Sequence, residues 1–180
     1  MTFASLSSLL RALADAPRAR ESYEELLNGI RFGIDEIRDF CHFSQDFYTR
    51  NLIARTDDFE ILTLCWEPGQ ISPVHDHAGS DGWIHCMDGA IEEVWYEHSV
   101  DGDEKAHFKK GRAATLTPGA MGYINDDLAW HTVGNPAETR AVTLHVYSPP
   151  IDACQYVETD GVIRTKQMRY FTVDGAPVAR

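Results

Sequence analysis

The sequence is short of cysteine pairs, long apolar runs and basic residues. Its four cysteines include no CxxC pair, so a disulfide framework is not expected. No apolar run approaches the roughly 18 residues that a membrane-spanning helix needs. Only 16 lysines and arginines accompany 28 acidic residues, and the formal net charge is -12. A chain this acidic is not expected to bind nucleic acid or an anionic membrane, since both require a basic face.

Two further absences predict a cytoplasmic protein. The opening segment MTFASLSSLLRALADAP has no basic stretch followed by a continuous apolar core, so it is not expected to be a signal peptide. Widely spaced cysteines fit free thiols in a reducing compartment, and Cys65 in ILTLCW fits core packing. An acidic surface also does not attract anions. A substrate carboxylate would therefore need a dedicated cation inside a pocket.

The texture of the sequence changes once, which predicts a single domain over residues 1–180. Residues 1–46 carry apolar residues at helical spacing, with Ser5 as a cap, a break at Pro17 and a short third helix from 34 to 40. From 48 to 171, short β-rich runs alternate with turn residues, roughly 8–15 residues apart. These runs are FEILTLCW, WIHCM, AIEEVWYEH, AATLTPG, MGYIN, WHTVGN, AVTLHVYS and QMRYFTV. The expected fold is an all-β barrel with a helical N-terminal cap.

The stretch SPVHDHAGSDGWIHC, residues 72–86, predicts a metal site. On a strand, residues two apart point to the same face, so His75 and His77 would project together while Asp76 points away. Neutral imidazole suits iron, copper, nickel and zinc, so the ligand type alone does not choose the metal. A structural zinc site is normally closed by four protein ligands, often thiolates. No cysteine lies beside the two histidines, so an open, catalytic site is favoured.

A family resemblance is carried by glycines and histidines at fixed spacing. G-x5-H-x-H from Gly69 to His77, and H-x3-N from His131 to Asn135, resemble the two motifs of the cupin superfamily, a double-sheet jelly-roll barrel. That superfamily usually has a glutamate four or five residues after the second histidine, where this sequence has Asp81 and Gly82. With this departure and four longer matches, the sequence resembles the cysteine dioxygenases. The matches are YTRNLI (48–53), ILTLCWEPG (61–69), GYINDDLAWH (122–131) and LHVYSPPID (144–152).

The resemblance implies that His75, His77 and His131 bind Fe(II). Two other histidines compete for the third-ligand position. His85 follows His77 by eight residues. The turn GSDG lies between them, so this even spacing does not predict that the two side chains share a strand face. His145 lies two residues before Tyr147 on a predicted strand, so the two share a face. The resemblance makes His145 the partner that orients the hydroxyl of Tyr147, and Tyr147 the proton donor beside the metal.

Arg50 is the candidate for the cation that a substrate carboxylate would need inside a pocket. A guanidinium matches a carboxylate through two parallel hydrogen bonds. The resemblance implies that Arg50 binds the carboxylate of cysteine and that Tyr48 assists it. Related dioxygenases of 3-mercaptopropionate commonly carry glutamine at the position of this arginine. Arg50 therefore favours cysteine as the substrate.

Two further expectations come from the resemblance. Members of the family with an arginine at this position have a cis Ser-Pro bond after the tyrosine, which predicts a cis bond at Ser148–Pro149. Mammalian members link a cysteine to the active-site tyrosine, and that cysteine aligns with Gly82. Cys86 lies four residues further on and is a poor substitute. An unlinked Tyr147 is expected.

The expected activity is oxidation of L-cysteine by O2 to cysteine sulfinic acid at a three-histidine Fe(II) centre. Two alternatives remain open at this point. The first is a dioxygenase of another small thiol, such as 3-mercaptopropionate or cysteamine. The second is a cupin that binds a metal or small ligand without oxidising it, but pure binding requires no oriented phenol such as Tyr147.

Overall fold

The computed structural model describes residues 1–100 and 106–178. Its helices are α1 (Leu6–Asp15), α2 (Arg20–Leu27) and a 3-10 helix (Ile34–Phe40). The side chain of Ser5 accepts a hydrogen bond from the backbone N–H of Ser8 and so caps α1. The buried residues of α1 recur at helical spacing, as an amphipathic helix requires. The predicted helical N-terminal region is therefore confirmed, with 3-10 geometry in its last segment.

The rest of the described chain is almost entirely strands. They are β1 (Thr49–Arg55), β2 (Glu60–Trp66), β3 (Asp81–Asp88), β4 (Ile91–Val100), β5 (Ala106–Leu116), β6 (Met121–Ile124), β7 (Trp130–Gly134), β8 (Ala141–Ser148), β9 (Ala153–Val157), β10 (Ile163–Gln167), β11 (Thr172–Val173) and β12 (Ala176–Pro177). One sheet has the order β12-β11-β1-β2-β8-β3-β6 and a second has the order β5-β4-β7, while β9 and β10 form a hairpin. This is the predicted all-β jelly-roll barrel.

The large sheet is buried on both faces, which explains its continuous apolar runs. Along β2, Ile61 and Cys65 join the apolar cluster beneath the helices, whereas Leu62, Leu64 and Trp66 join the cluster inside the barrel. This alternation follows from the two-residue period of a strand. The helical cap therefore covers the outer face of the sheet, and the inner face is left to line the barrel.

The prediction that His75 and His77 lie on a regular strand is wrong. His75 forms only isolated bridges, one to His131 and one to Tyr156, and the residues around it are irregular. The backbone turns just after His77, where Ala78 and Gly79 have φ values of 50° and 81°. Glycine adopts such values without strain. The turn ends the segment before it can form a second regular ladder.

The predicted run QMRYFTV is also wrong as a single strand. Its first residue ends β10 and its last two form β11, while residues 168–171 between them are irregular. The C-terminal part then runs parallel to β1, with Asn51 opposite Thr172. No helix in the described part of the chain is long and apolar enough to cross a membrane.

Candidate metal centre

Three histidines from two separate segments converge inside the barrel. One nitrogen each of His75, His77 and His131 lies within 4.8 Å of the others. The ring centroid of His131 is 4.7 Å from those of both His75 and His77. His131 lies on β7, and its backbone bonds directly to His75 through both N–H groups at 3.1 Å. The bridge replaces the strand that the sequence predicted, and it still brings both segments to one point.

Hydrogen bonds on the far side of two rings fix their orientation. Nδ1 of His75 donates to the carbonyl oxygen of Pro73 at 2.9 Å. Nδ1 of His131 donates to Oε1 of the buried Glu93 at 2.7 Å. With Nδ1 protonated in each ring, Nε2 keeps a free lone pair. This arrangement is the one usually seen around metal-binding histidines, where a carboxylate or carbonyl holds the other nitrogen.

His77 is held by its backbone instead of its ring. Asp126 accepts hydrogen bonds from the backbone N–H groups of His77 and Gly79, both at 2.6 Å. Neither ring nitrogen of His77 has a hydrogen-bond partner in the described part of the chain, although both are buried. A buried polar atom without a partner is costly, and a bound ion would supply a contact for one of these two nitrogens.

Burial keeps the site ready for a cation. Desolvation, followed by the proximity of His131, lowers the pKa of His75 and of His77 well below the usual range. Both imidazoles are therefore neutral at pH 7, which is the form that binds a metal. The unpartnered nitrogens of His77, the oriented lone pairs and the neutral donors all fit a metal cofactor.

A chain of hydrogen bonds runs along β8 to the same cavity. Nε1 of Trp66 donates to Oγ1 of Thr143 at 3.0 Å, and that oxygen lies 2.8 Å from Nε2 of His145. Nδ1 of His145 lies 2.9 Å from the hydroxyl of Tyr147. An indole N–H can only donate, so Oγ1 of Thr143 accepts from Trp66, and the single Thr143 hydroxyl proton can be directed at Nε2 of His145. In the tautomer with Nδ1 protonated, His145 donates to the phenol oxygen, and the proton of Tyr147 is free to point elsewhere.

Burial favours the neutral form of both His145 and Tyr147. Desolvation lowers the pKa of His145 well below its usual range, and nearby Arg50 adds to the effect. Desolvation also raises the pKa of Tyr147, although Arg50 opposes this. Both groups are therefore neutral at pH 7. A neutral imidazole and a neutral phenol can therefore form a hydrogen bond here without a net charge on either group.

Arg50 and Tyr48 lie at the entrance to the site. Tyr48 stacks on Trp66, with ring centroids 4.5 Å apart. Arg50 is 9% exposed, and its guanidinium carbon is 5.6 Å from the ring centroid of Tyr147. The pair lines a small inner cavity of about 20 Å³ together with His75 and His131. Both residues also line an outer cavity of about 810 Å³ that opens beyond it.

Other residues that the sequence singled out lie elsewhere. His85 is on the opposite face of β3, in the layer beneath the helices with Leu27 and Trp83, so it is not part of the histidine group. Gly82 is paired with Tyr147 across β3 and β8, and a Cβ placed there would be 3.3 Å from the tyrosine ring. Cys86 lies further along β3, opposite Thr143. The Ser148–Pro149 bond is cis, as predicted.

Sequence reasoning missed four residues that support the site. Thr143 shares a face with His145 and could have been found from the two-residue period of β8. Glu93 and Asp126 had no such signal, because each meets its partner through contacts between distant segments. The fourth residue, Glu60, meets Arg50 across the neighbouring strands β1 and β2. Glu93 reaches His131 only because β4 pairs with β7.

Comparison with known proteins points to one family. The family model "Cysteine dioxygenase type I" matches residues 1–159. A curated relative from Danio rerio, "Cysteine dioxygenase type 1", is 30% identical over 158 residues, which cover 86% of this chain and 78% of the relative. The protein of the same name from Rattus norvegicus is 36% identical over 118 residues, which cover 64% of this chain and 58% of the relative.

Solved structures with a similar shape include two bacterial proteins. A protein from Thermus thermophilus is 21% identical with a TM-score of 0.49, and the match covers 63% of this chain and 93% of that one. A sugar phosphate isomerase of the cupin superfamily from Silicibacter pomeroyi is 17% identical with a TM-score of 0.45. That match covers 83% of this chain and 87% of the other.

Proposed function

Since this chain belongs to the cysteine dioxygenase type I family, we propose that it oxidises L-cysteine with O2 to cysteine sulfinic acid. One observation carries the proposal. The small inner cavity is lined at once by two of the three clustered histidines, by a buried arginine and by a tyrosine whose hydroxyl contacts His145. A site that only stored a metal would need the first of these and neither of the others.

The metal in this proposal is Fe(II), held by His75, His77 and His131. When bound there, iron supplies the means to activate dioxygen and to favour the thiolate form of the substrate. Neutral imidazoles suit iron among other transition metals, so the donor set is compatible with this choice.

The protein's own residues bind and orient the substrate. Arg50 is the only arginine or lysine at nine-tenths burial among the described residues, and it faces the cavity where a carboxylate must be recognised. Its planar donors would fix the carboxylate, and Tyr48 would close one side of the pocket by its stacked ring.

Tyr147 and His145 manage the proton. With Thr143 donating to Nε2 of His145 and Nδ1 of His145 donating to the phenol oxygen, the Tyr147 proton points away from His145 and is available to a reacting oxygen atom. A donor that is already oriented needs no reorganisation when charge develops on oxygen. His145 holds the phenol in this direction and is the group through which Thr143 acts.

We also propose that residues 1–180 form one domain in a reducing, cytoplasmic compartment. Support for one domain comes from the helices, since residues of α1 and α2 share an apolar cluster with residues of β2, β3 and β8. Support for the compartment comes from the cysteines, because Cys41, Cys65, Cys86 and Cys154 are all free.

The experiment that tests the function is metal analysis combined with oxygen uptake. The purified protein should contain iron, and iron-loaded protein should consume one O2 for each cysteine sulfinate formed from L-cysteine. Parallel assays with 3-mercaptopropionate and cysteamine compare kcat/KM across thiols that lack the amine or the carboxylate. A higher kcat/KM for either analogue would show that this analogue, and not L-cysteine, is the preferred substrate. Metal binding without oxygen uptake on any thiol would reduce the protein to a metal-binding cupin.

A further inference from the structure

Glu60 is a fully buried carboxylate beside the substrate pocket. It begins β2, and its side chain is 0% exposed. Across the sheet it lies opposite Arg55 on β1 and Tyr147 on β8. Buried carboxylates are almost always paired, because the charge is otherwise costly to desolvate. The partners of Glu60 therefore indicate why it is there.

Its contacts connect two arginines to the rigid frame. Oε1 of Glu60 accepts hydrogen bonds from Nη2 of Arg50 at 3.2 Å and from the backbone N–H of Ile151 at 3.3 Å. Oε2 accepts from the hydroxyl of Tyr170 at 2.5 Å and lies 3.5 Å from Nη1 of Arg55. The carboxylate is thus held by a backbone group and a phenol, and it cannot follow a moving guanidinium.

The two arginines differ in what else they contact. Arg55 is 31% exposed and has a second acid, Asp152, at 2.5 Å. Arg50 has Glu60 as its one ion-pair partner in the described part of the chain. Nε of Arg50 is buried and has no hydrogen-bond partner there. One part of the Arg50 guanidinium is therefore committed to Glu60, and another part is available in a residue that lines both cavities.

We propose that Glu60 is a positioning residue that fixes the direction of the Arg50 guanidinium and offsets part of its charge. This inference rests on the proposed function, in which Arg50 binds the carboxylate of the substrate. A pinned guanidinium presents its free donor in one place, so a carboxylate is recognised by position as well as by charge. The offset charge prevents the substrate or product anion from being held too tightly for turnover.

The proposal predicts different effects for two changes at one position. Glu60→Asp shortens the side chain, so the carboxylate withdraws from Arg50 and the guanidinium loses its fixed direction. Glu60→Gln keeps the length and an acceptor oxygen, so the direction is preserved, while the opposing charge disappears. The Gln variant also keeps a buried partner for Arg50 if the Asp variant is too unstable to purify.

The experiment measures KM and kcat for L-cysteine, the inhibition constant of cysteamine, and iron content in each variant. Glu60→Asp should raise KM about tenfold with kcat changed by less than about twofold, since only carboxylate binding is weakened. Glu60→Gln should leave KM at or below the wild-type value. Cysteamine has no carboxylate, so its inhibition constant should be unchanged in both. Glu67→Asp is the matched control, because Glu67 pairs with Arg140 away from both cavities.

A double-mutant cycle separates this role from a purely structural one. In an Arg50→Gln background, Glu60→Asp should cause no further change in KM, because Glu60 acts through Arg50. An equal further loss in that background would overturn the proposal. So would a parallel shift in cysteamine inhibition, or an unchanged KM in Glu60→Asp. If the wild-type enzyme itself consumes no O2 with L-cysteine, the proposed function fails, and the role of Glu60 fails with it.

Discussion

Each of the three converging histidines has a different support, but all three present one nitrogen to the same point. We predict that His75→Ala, His77→Ala and His131→Ala each lose iron, because two imidazoles would remain for a site built of three. His85→Ala should keep iron, since His85 lies beneath the helical cap. Metal analysis of the purified variants checks this. Normal iron content in any of the first three would break the proposed ligand set.

Arg50 is the residue on which substrate choice depends. We predict that Arg50→Gln lowers kcat/KM for L-cysteine by roughly ten- to hundredfold, which corresponds to about 1.5–3 kcal/mol for a charge-assisted contact. The inhibition constant of cysteamine, which lacks a carboxylate, should barely change. Steady-state kinetics with both thiols is the measurement. Equal effects on both would show that Arg50 does not bind the carboxylate.

Tyr147 differs from the histidines because its ring and its hydroxyl have separable roles. We predict that Tyr147→Phe retains iron but lowers kcat by roughly 10²-fold, the usual effect of removing a donor aimed at developing charge. The ring keeps its volume, so packing in the barrel changes little. His145→Gln should give a milder decrease, because it removes the orienting group and leaves the hydroxyl. Wild-type turnover by the Phe variant would exclude the hydroxyl from the reaction.

At the scale of elements, β8 shows how a simple period places the proton-handling residues. Thr143, His145 and Tyr147 alternate along the strand, so all three face the barrel interior. Their intervening neighbours Leu144 and Val146 face the helical cap instead. The sequence alone was therefore enough to place His145 with Tyr147. It could not supply Trp66, which reaches Thr143 only through the fold.

The segment that contains His75 and His77 shows the opposite case. Alternation on a strand predicted the correct pair for the wrong reason, because the segment is irregular and His75 is fixed by an isolated bridge to His131. The bonds from the backbone of His77 and Gly79 to Asp126 depend on a contact 49 residues away in the chain. Local sequence patterns do not indicate such contacts. A family motif indicates which residues come together only for the metal ligands themselves. Glu93 was missed for the same reason, because it meets His131 38 residues along the chain.

The pairing of β3 with β8 makes a specific prediction about Gly82. A Cβ at Gly82 would lie 3.3 Å from the Tyr147 ring, so a cysteine there would bring its thiol against the phenol. The wild-type protein should show no loss of two hydrogens in its intact mass, because Cys86 lies further along β3. Gly82→Cys should acquire that loss during aerobic turnover as a thioether forms. Mass spectrometry of both proteins is the measurement.

Either of two results would contradict this prediction. A linked species in the wild-type protein would show that another cysteine reaches Tyr147. A Gly82→Cys protein that turns over normally and never loses the two hydrogens would show that the thiol does not meet the ring. Cys86→Ser is the matched control, and its intact mass should follow the wild-type pattern.

In the whole molecule, the layer beneath the helical cap contributes mainly to stability, and the inner side of the barrel carries the candidate site. One apolar cluster joins the helices to the outer face of the large sheet, and Tyr23 packs edge-on against Trp83 with ring centroids 5.9 Å apart. The histidines, Arg50 and Tyr147 lie on the inner side. Changes in the cap layer are therefore expected to alter the free energy of unfolding with little effect on the metal site. His85 allows this separation to be tested, because it is a titratable group within the cap layer.

Burial lowers the pKa of His85, and the charge of nearby Arg31 adds to the effect, although a backbone hydrogen bond opposes it. In the unfolded chain the histidine pKa is about 6.5. Below that value the unfolded chain binds a proton that the folded chain does not yet accept, so acid favours unfolding. The contribution of neutral His85 to stability is thus fully present above about pH 6.5 and declines as the pH falls towards the lower folded pKa. We predict that His85→Gln makes Tm less sensitive to acid between about pH 7.5 and about pH 5.5. Thermal unfolding of the wild type and the variant at both pH values measures this, with iron content as the check that the inner layer is unaffected. If Tm of His85→Gln kept the full acid sensitivity of the wild type, His85 would not be the group that makes the stability of the cap layer depend on pH.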